Sequence, residues 1–270
     1  MAATETRKRT ATGRKPVTNL TYYRTNKRRA ARFRWGLQLL FFLACLASGY
    51  FFSFSPFFHI SEITVTGNNK VSSADIIHAS GILSGQNIFS VSPNFSAVWI
   101  SMDYSIESVQ LVKSYPDKIT IAVTERTPVA LVPFVNGFLE VDRFGVVLSR
   151  VRHISSINLP LLSGVGGIEP GIIPGMKITG KEISEGLSMI LQLPEEAVSF
   201  IAEINVLNVQ KIVIYSQTGT EVRIGDSSFF LAKYDLAQKI LDDQQKNGRL
   251  SAVKYLDVGV LDSPVILYSN

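Results

Sequence analysis

The sequence predicts an α+β protein carried on one membrane helix: a basic cytoplasmic tail, a transmembrane helix, a β-α-α-β-β domain, then a mixed β domain with two helices. Three observations predict it. An uncharged apolar stretch follows an Arg/Lys-rich start; strand and helix periodicities alternate over residues 57–126; and short strands punctuated by turns fill residues 127–270, broken twice by helical patterns.

The tail comprises residues 1–34 and holds eleven Arg or Lys against the single acid Glu5, so it carries +10 while everything after it sums to −5. A high isoelectric point therefore describes the tail and not the folded part. Such a tail, poor in apolar residues, is expected to be disordered. Tyr22, Tyr23 and Phe33 among the basic residues resemble a single-strand nucleic-acid pattern, but contact with anionic lipid heads and a role in topology are the favoured reading, and no nucleic acid is expected as a partner.

Trp35 to Phe54, WGLQLLFFLACLASGYFFSF, contains no charge. Twenty helical residues rise about 30 Å, the thickness of a bilayer's hydrocarbon core. Cations from Lys27 to Arg34 flank its start, which places the N-terminus in the cytoplasm and the remainder outside. The stretch is too long, and too far from the N-terminus, for a cleaved signal peptide. A lipoprotein signal at Cys45 is disfavoured because Phe42 stands where Leu is usual and apolar residues continue past the cysteine. Cys45 is the only cysteine, so no disulfide framework exists.

After Pro56, a strand from Ile60 stops at Gly67-Asn68-Asn69. Ser72 or Ser73 caps a helix that buries Ile76 and Ile77 and ends at Gly81. A second helix starts at Pro93 and repeats Phe95, Val98, Trp99 and Met102 at three- and four-residue spacing, as a core-facing stripe would. Strands Ile106–Lys113 and Ile119–Glu125 follow, joined by the turn Tyr115-Pro116-Asp117-Lys118. Gly67 and Gly85 are expected turn formers, Ile88 and Phe89 core fillers, Pro116 a turn residue, and Glu125-Arg126 either a partner-binding or membrane-proximal feature or an exposed strand-end ion pair. The sheet so formed has a free edge that can accept another chain's strand.

Beyond Thr127, strands Val129–Val135 and Phe138–Asp142 flank Asn136-Gly137, a strong hairpin turn, and Val146–Ser149 follows. A Gly/Pro-rich loop, expected to be mobile, runs from Pro160 through Gly164, Gly166, Gly167, Pro170, Gly171 and Pro174 to Gly175. A helix over Thr179–Leu193 should carry a capping box of Thr179 and Glu182 and bury Ile183, Leu187, Ile190 and Leu191. Strands Ile201–Leu207, Lys211–Tyr215 and Thr220–Ile224 precede a helix from Ser228 to Lys246, with Leu231, Leu236, Ile240 and Leu241 on its apolar face. Strands Val253–Val258 and Pro264–Tyr268 end the chain.

The β-α-α-β-β order resembles a POTRA domain, and the run YPDKITIAVTERTPVA from Tyr115 to Ala130 looks like the way the FtsQ/DivIB family of bacterial cell-division proteins ends that domain. Gly67, Gly85, Tyr115, Pro116, Glu125, Arg126 and Pro128 carry the likeness. It implies a POTRA domain over 57–126 and the family's β domain over 127–270. It also implies a scaffold of the inner-membrane division machinery, concentrated at the septum with its C-terminal domains in the periplasm. The implied partners are the coiled-coil division proteins FtsB and FtsL, with FtsW, FtsI and other divisome members besides. Carried over residue by residue, Tyr255-Leu256-Asp257-Val258 resembles the family's penultimate-strand motif, and Tyr255, Val258, Gly259, Val260, Ser263, Val265, Leu267 and Tyr268 fall on the partner-binding segment. The family commonly has Arg-Tyr where this chain has Gly259-Val260, which removes any ion pair or ring contact from those two positions.

Residue supply argues against an enzyme. His59, His78 and His153 are isolated, the only thiol lies in the apolar stretch, and Gly164, Gly166 and Gly167 lack the strand and helix of a dinucleotide fingerprint. No catalytic, cofactor or metal residues are therefore assigned. Two other readings are an outer-membrane assembly or secretion factor, which would need several POTRA repeats and a barrel, and a membrane-anchored periplasmic enzyme.

Overall fold

The computed structural model describes residues 20–153 and 158–269, and the chain forms two compact units, one ending at Phe58 and one beginning at His59. Residues 1–19 of the expected disordered tail lie outside the described residues. Helix α1 (Leu20–Ser53) starts well before Trp35, so residues 20–34, expected to be disordered, are helical. Arg, Lys and Ala are good helix formers, and extending an existing helix adds a hydrogen bond per residue without a new nucleus. Within α1, Phe33–Ser53 is long and apolar enough to cross a membrane, which suits a membrane anchor. A 3-10 turn, Pro56–Phe58, closes the first unit.

The second unit opens with strand β1 (Glu62–Thr66), helices α2 (Ser73–Ser80) and α3 (Pro93–Ile100), and strands β2 (Ile106–Ser114) and β3 (Lys118–Glu125). Strand β3 is central, parallel to β1 and antiparallel to β2. Ser72 caps α2 by accepting the Asp75 N–H, and Gly81 ends it in the left-handed region at φ 68°. Ile60, Ile76, Ile88, Ile100, Ile106, Ile119 and Ile121 fill the core between helices and sheet.

Helix α3 departs from expectation. It turns Ser96 and Ile100 inward, while Phe95, Val98, Trp99 and Met102 are exposed, Phe95 to 63% and Trp99 to 47%. The small Ser96 lets the helix approach its neighbours closely, and Ile100 one turn on supplies the apolar contact. The bulkier stripe is consequently left outside. Phe89 is likewise half-exposed instead of filling the core, although Ile88 is fully buried.

A nine-stranded sheet follows. Its strands are β4 (Pro128–Phe134), β5 (Gly137–Asp142), β6 (Val147–Val151), β7 (Leu161–Ser163), β8 (Ile201–Asn205), β9 (Ile212–Ser216), β10 (Glu221–Gly225), β11 (Val253–Asp257) and β12 (Val265–Tyr268). They are ordered β12-β11-β10-β9-β8-β7-β4-β5-β6, which makes β12 and β6 the edges. The outer side of β6 is partly occupied: the Gly175 N–H donates to the Val147 carbonyl, and the Val147 N–H to that of Met176.

Strand β7 corrects the expectation of a mobile loop from Pro160. Leu161–Ser163 pairs in parallel with β8 on one side and, through Leu161↔Leu131, with β4 on the other. Leu162 is fully buried, as are Ile172 and Ile178 further along the Gly/Pro-rich stretch. Three residues between Pro160 and Gly164 are too few to show a period, so only tertiary pairing reveals the strand.

The helices are α4 (Lys181–Gln192), the short α5 (Glu195–Ser199), which the sequence reading lacked, and α6 (Phe230–Lys246). The predicted capping box is not formed: Gly180, at φ 143°, is the N-cap of α4 and no side chain caps it. Ile183, Leu187 and Ile190 are buried as expected, but Leu191 is half-exposed and Met189 is buried in its place. In α6 the inward residues are Phe230, Lys233, Tyr234 and Ala237. Leu231 is therefore outside, and Leu236, Ile240 and Leu241 pack at the border of the core. The Lys233 ammonium is buried because it donates to the Asp226 carbonyl and carboxylate, both at 3.0 Å, just before the helix. That bond and the Ser228 N–H hold the Asp226 carboxyl below its usual range.

One row of side chains explains the sheet's amphipathicity. Leu162, Ile204, Ile214, Val222, Leu256 and Ile266 are successive cross-strand partners from β7 to β12. All belong to the core or pack against it. Because side chains alternate along a strand, the neighbouring row of Glu203, Tyr215, Glu221, Tyr255 and Leu267 must lie on the other face.

Candidate partner-binding edge

Strand β12 owes its position to α6, which carries the chain across to β11. Strand β11 lies parallel to β10, and β12 turns back antiparallel along its outer side. The turn is fixed locally: the Gly259 N–H donates to Asp257 Oδ1 at 2.9 Å, the Val258 N–H to the Arg223 carbonyl at 2.9 Å, and the Ser263 N–H to the Val260 carbonyl. Among the described residues no further strand pairs with β12, so its outer backbone edge is open.

The predicted partner-binding residues separate into three groups. Tyr255, Val265 and Leu267 share the open face; Val265 and Leu267 are exposed, and Tyr255 is half-buried. Ser263 and Val260 are exposed on the turn, Val260 to 65%. Val258 is fully buried, so its side chain can position the turn but cannot touch a partner. Tyr268 points to the helix side, where its hydroxyl donates to Gln244 Oε1 of α6 at 3.0 Å. Gly259 packs beside Gly225 at the end of β10, where a side chain on Gly225 would meet its Cα.

Gly259-Val260 offers no charge or ring, but the neighbouring strand does. The Arg223 guanidinium lies 3.7 Å from the centre of the Tyr255 ring, held there by a 2.7 Å bond to Glu221. Glu221 also pushes the Tyr215 hydroxyl above its ordinary pKa, second to the effect of burial. The open face beside β12 thus combines tyrosine rings with carboxylates and one arginine. Sequence reading missed Arg223, because a single cation in a strand carries no periodic signal.

The residues that carry the POTRA likeness have structural work. Gly67 ends β1 at φ 83° against the Val123 carbonyl, and Gly85 turns at φ 84°. Tyr115-Pro116 is a cis peptide, and Tyr115 is exposed with its ring stacked on Phe89 at 5.3 Å. Pro128 opens β4.

Glu125 and Arg126 do not form the expected ion pair with each other. The Glu125 carboxylate accepts the N–H groups of Asn69, Lys70 and Val71 at 2.7–3.0 Å, closing the loop after β1. Desolvation raises the pKa of this carboxyl, but the three N–H donors together outweigh it and hold the group below its usual value. A depressed carboxyl pKa stabilises the fold above the unfolded value of about 4.3 and ceases to do so as pH falls through the folded value. Acid unfolding of Glu125→Gln is therefore expected to be less steep than wild type below about pH 4.5, with the two converging in acid. Chemical denaturation at stepped pH measures it, and parallel curves would count against the role.

Arg126 instead reaches Asp142 at 2.5 Å. Asp142 is fully buried at the end of β5, and its other oxygen accepts the N–H groups of Phe144 and Val146. Arg143 pairs back to Glu107 of β2, and the Phe144 ring lies beneath both guanidiniums, 5.9 Å from Arg126 and 5.0 Å from Arg143. These contacts tie the three-stranded sheet to the nine-stranded one. Among the described residues, no group of three His, Cys, Asp or Glu side chains is placed to hold a metal ion.

Residues 58–126 match the family model described as POTRA domain, FtsQ-type, and residues 130–258 match that of Cell division protein FtsQ/DivIB, C-terminal. The chain belongs to the FtsQ/DivIB family. Cell division protein FtsQ of Syntrophotalea carbinolica is 26% identical over 228 residues, covering 83% of this chain and 78% of that one. Cell division protein DivIB of Clostridium botulinum is 28% identical over 214 residues, covering 78% and 82%. A shorter match, 34% identical over 110 residues, is to DivIB of Clostridium acetobutylicum, covering 41% and 44%. Relatives with these names support a role in cell division. In this FtsQ/DivIB chain the C-terminal match stops at Val258, just before the Gly259-Val260 turn and β12.

Proposed function

We propose that the chain is a non-enzymatic scaffold of the division machinery, anchored by α1 with its N-terminus in the cytoplasm and residues 57–126 and 127–270 in the periplasm, and concentrated at the septum. Its β12 edge takes a backbone segment from the coiled-coil partners FtsB and FtsL, linking early division proteins to the later FtsW and FtsI and so to septal wall synthesis. The observation that carries this reading is the open edge of β12, with exposed Val265 and Leu267 beside Tyr255 and Arg223. An unpaired edge recruits a strand by main-chain hydrogen bonds, and side chains on one face then supply selectivity.

Proline scanning tests it. Successive N–H groups of a strand point alternately to its two sides, so Val265→Pro, Ile266→Pro and Leu267→Pro should differ in kind. Where the N–H points inward to β11, the melting temperature falls. Where it points outward, stability is kept and affinity for a soluble FtsB segment drops about 10- to 100-fold, as for a loss of about 1.4–3 kcal/mol. Wild-type affinity in every variant that keeps its stability would exclude edge pairing. In cells, depletion is expected to give filaments without septa.

A further inference from the structure

The outward stripe of α3 is a run of exposed apolar side chains. Phe95 and Trp99 meet edge-to-face at 5.8 Å, and Val98 and Met102 are exposed beside them. Phe95 and Trp99 border a shallow cavity together with Gln86 and Ser90. The same Gln86–Ser90 loop carries Phe89, whose ring stacks on Tyr115. None of these residues is charged.

The patch adjoins the point where the chain enters this unit. His59 pairs with Asn87, the Ile60 N–H donates to the Gln86 carbonyl, and the Asn87 side chain accepts the Phe89 N–H. Only residues 54–58 separate that entry point from the last residue of α1. At no more than about 3.5 Å per residue, such a connection reaches about 20 Å at most. By covalent reach alone, the entry point stays within that distance of the level at which the apolar helix ends. Trp and Tyr prefer the zone between lipid headgroups and acyl chains, where an apolar ring and a polar edge are both accommodated, and Phe inserts its ring on the acyl side of that zone.

We propose that Phe89, Tyr115, Phe95 and Trp99 form a lipid-facing foot that seats the first folded domain on the membrane interface at which α1 emerges. The occupant is the headgroup–acyl boundary of the bilayer, chosen by the short tether and by the uncharged, aromatic character of the patch. The proposal rests on the reading of α1 as a membrane span. Docked in this way, the domain loses rotational freedom about its tether and presents the rest of its surface in a fixed direction.

The test uses Trp99 as its own reporter. Trp35 is the only other tryptophan, so Trp35→Phe leaves one fluorophore in the full-length chain. The protein is reconstituted into phosphatidylethanolamine/phosphatidylglycerol vesicles, with or without phosphatidylcholine brominated near the headgroup end of its acyl chains. The foot requires that bromine quench Trp99 and that iodide in the outer buffer quench it at least about threefold less than it does in the combined variant Phe89→Ser, Phe95→Ser, Tyr115→Ser. Bromine quenching in the chain with all three rings intact does not depend on how well that variant folds. Free quenching by iodide with none by bromine overturns the proposal. So does protection from both quenchers that grows with the protein-to-lipid ratio, which would identify a second copy as the occupant. Flotation of the same vesicles reports separately on α1: failure to co-float removes the span and the proposal together, whereas flotation with an iodide-accessible Trp99 removes only the foot.

Discussion

Asp142→Ala is expected to destabilise the folded unit by about 3–5 kcal/mol, because it strands the Arg126 guanidinium in a mostly buried site and orphans the N–H groups of Phe144 and Val146. Arg126 has little in reserve: its buried Nε has no hydrogen-bond partner among the described residues. Asp142→Asn keeps an acceptor for the two N–H groups and should lose less. Replacing both charges at once, Arg126→Met with Asp142→Leu, should recover the part of the loss that comes from the stranded guanidinium, while the N–H groups of Phe144 and Val146 stay orphaned. Urea titrations of the wild type, Arg126→Met, Asp142→Leu and the double variant form a double-mutant cycle. If the two single losses summed to the loss of the double variant, the pair would have no energetic coupling.

Gly67→Ala carries the second large effect. A β-carbon at this position would overlap the Val123 carbonyl oxygen in the centre of the three-stranded sheet, and the backbone stands at φ 83°. Left-handed geometry costs a non-glycine residue about 1–2 kcal/mol, and forced overpacking adds about 1–3 kcal/mol. The total, about 2–5 kcal/mol, should appear as a lower denaturation midpoint. Gly85→Ala is the control: it shares the positive φ, at 84°, but a β-carbon there meets nothing, so only the conformational cost applies. Equal losses at the two positions would mean that the close approach to Val123 is not the cause.

The contrast between these two glycines shows what a sequence can disclose. Both read as turn formers from the polar residues around them, yet the carbonyl that makes Gly67 intolerant belongs to β3, far along the chain. The β-α-α-β-β order, the Asn136-Gly137 hairpin and the Ser72 cap were legible because each rests on local spacing or turn chemistry, whereas the edge position of β12 came from the family resemblance. Helix faces were not. The stripes on α3 and α6 have helical spacing, but the face chosen depends on how closely a small residue, Ser96 or Ala237, lets the helix approach. Strand β7 and the Arg126–Asp142 pair were invisible for a different reason: each exists only through residues remote in sequence. At the candidate site, Val265 and Leu267 were singled out by the family resemblance, and their exposure, the burial of Val258 and the arrival of Arg223 over Tyr255 all required the neighbouring strand.

Strand β7 also has a mechanical meaning. If a partner pulls on β12 while the membrane holds the other end of the chain, force crosses the sheet from strand to strand. On one side of β7 stand β8 to β12, with several paired residues at each junction; on the other, β7 meets β4 through the single pair Leu131↔Leu161. That junction has the fewest paired residues in the path, one register pair together with the Leu131 N–H to Pro160 carbonyl bond. Whatever load reaches it is shared by the one core that spans β4 to β11, and β4 to β6 are in turn fastened to the three-stranded sheet through Asp142 and Arg126.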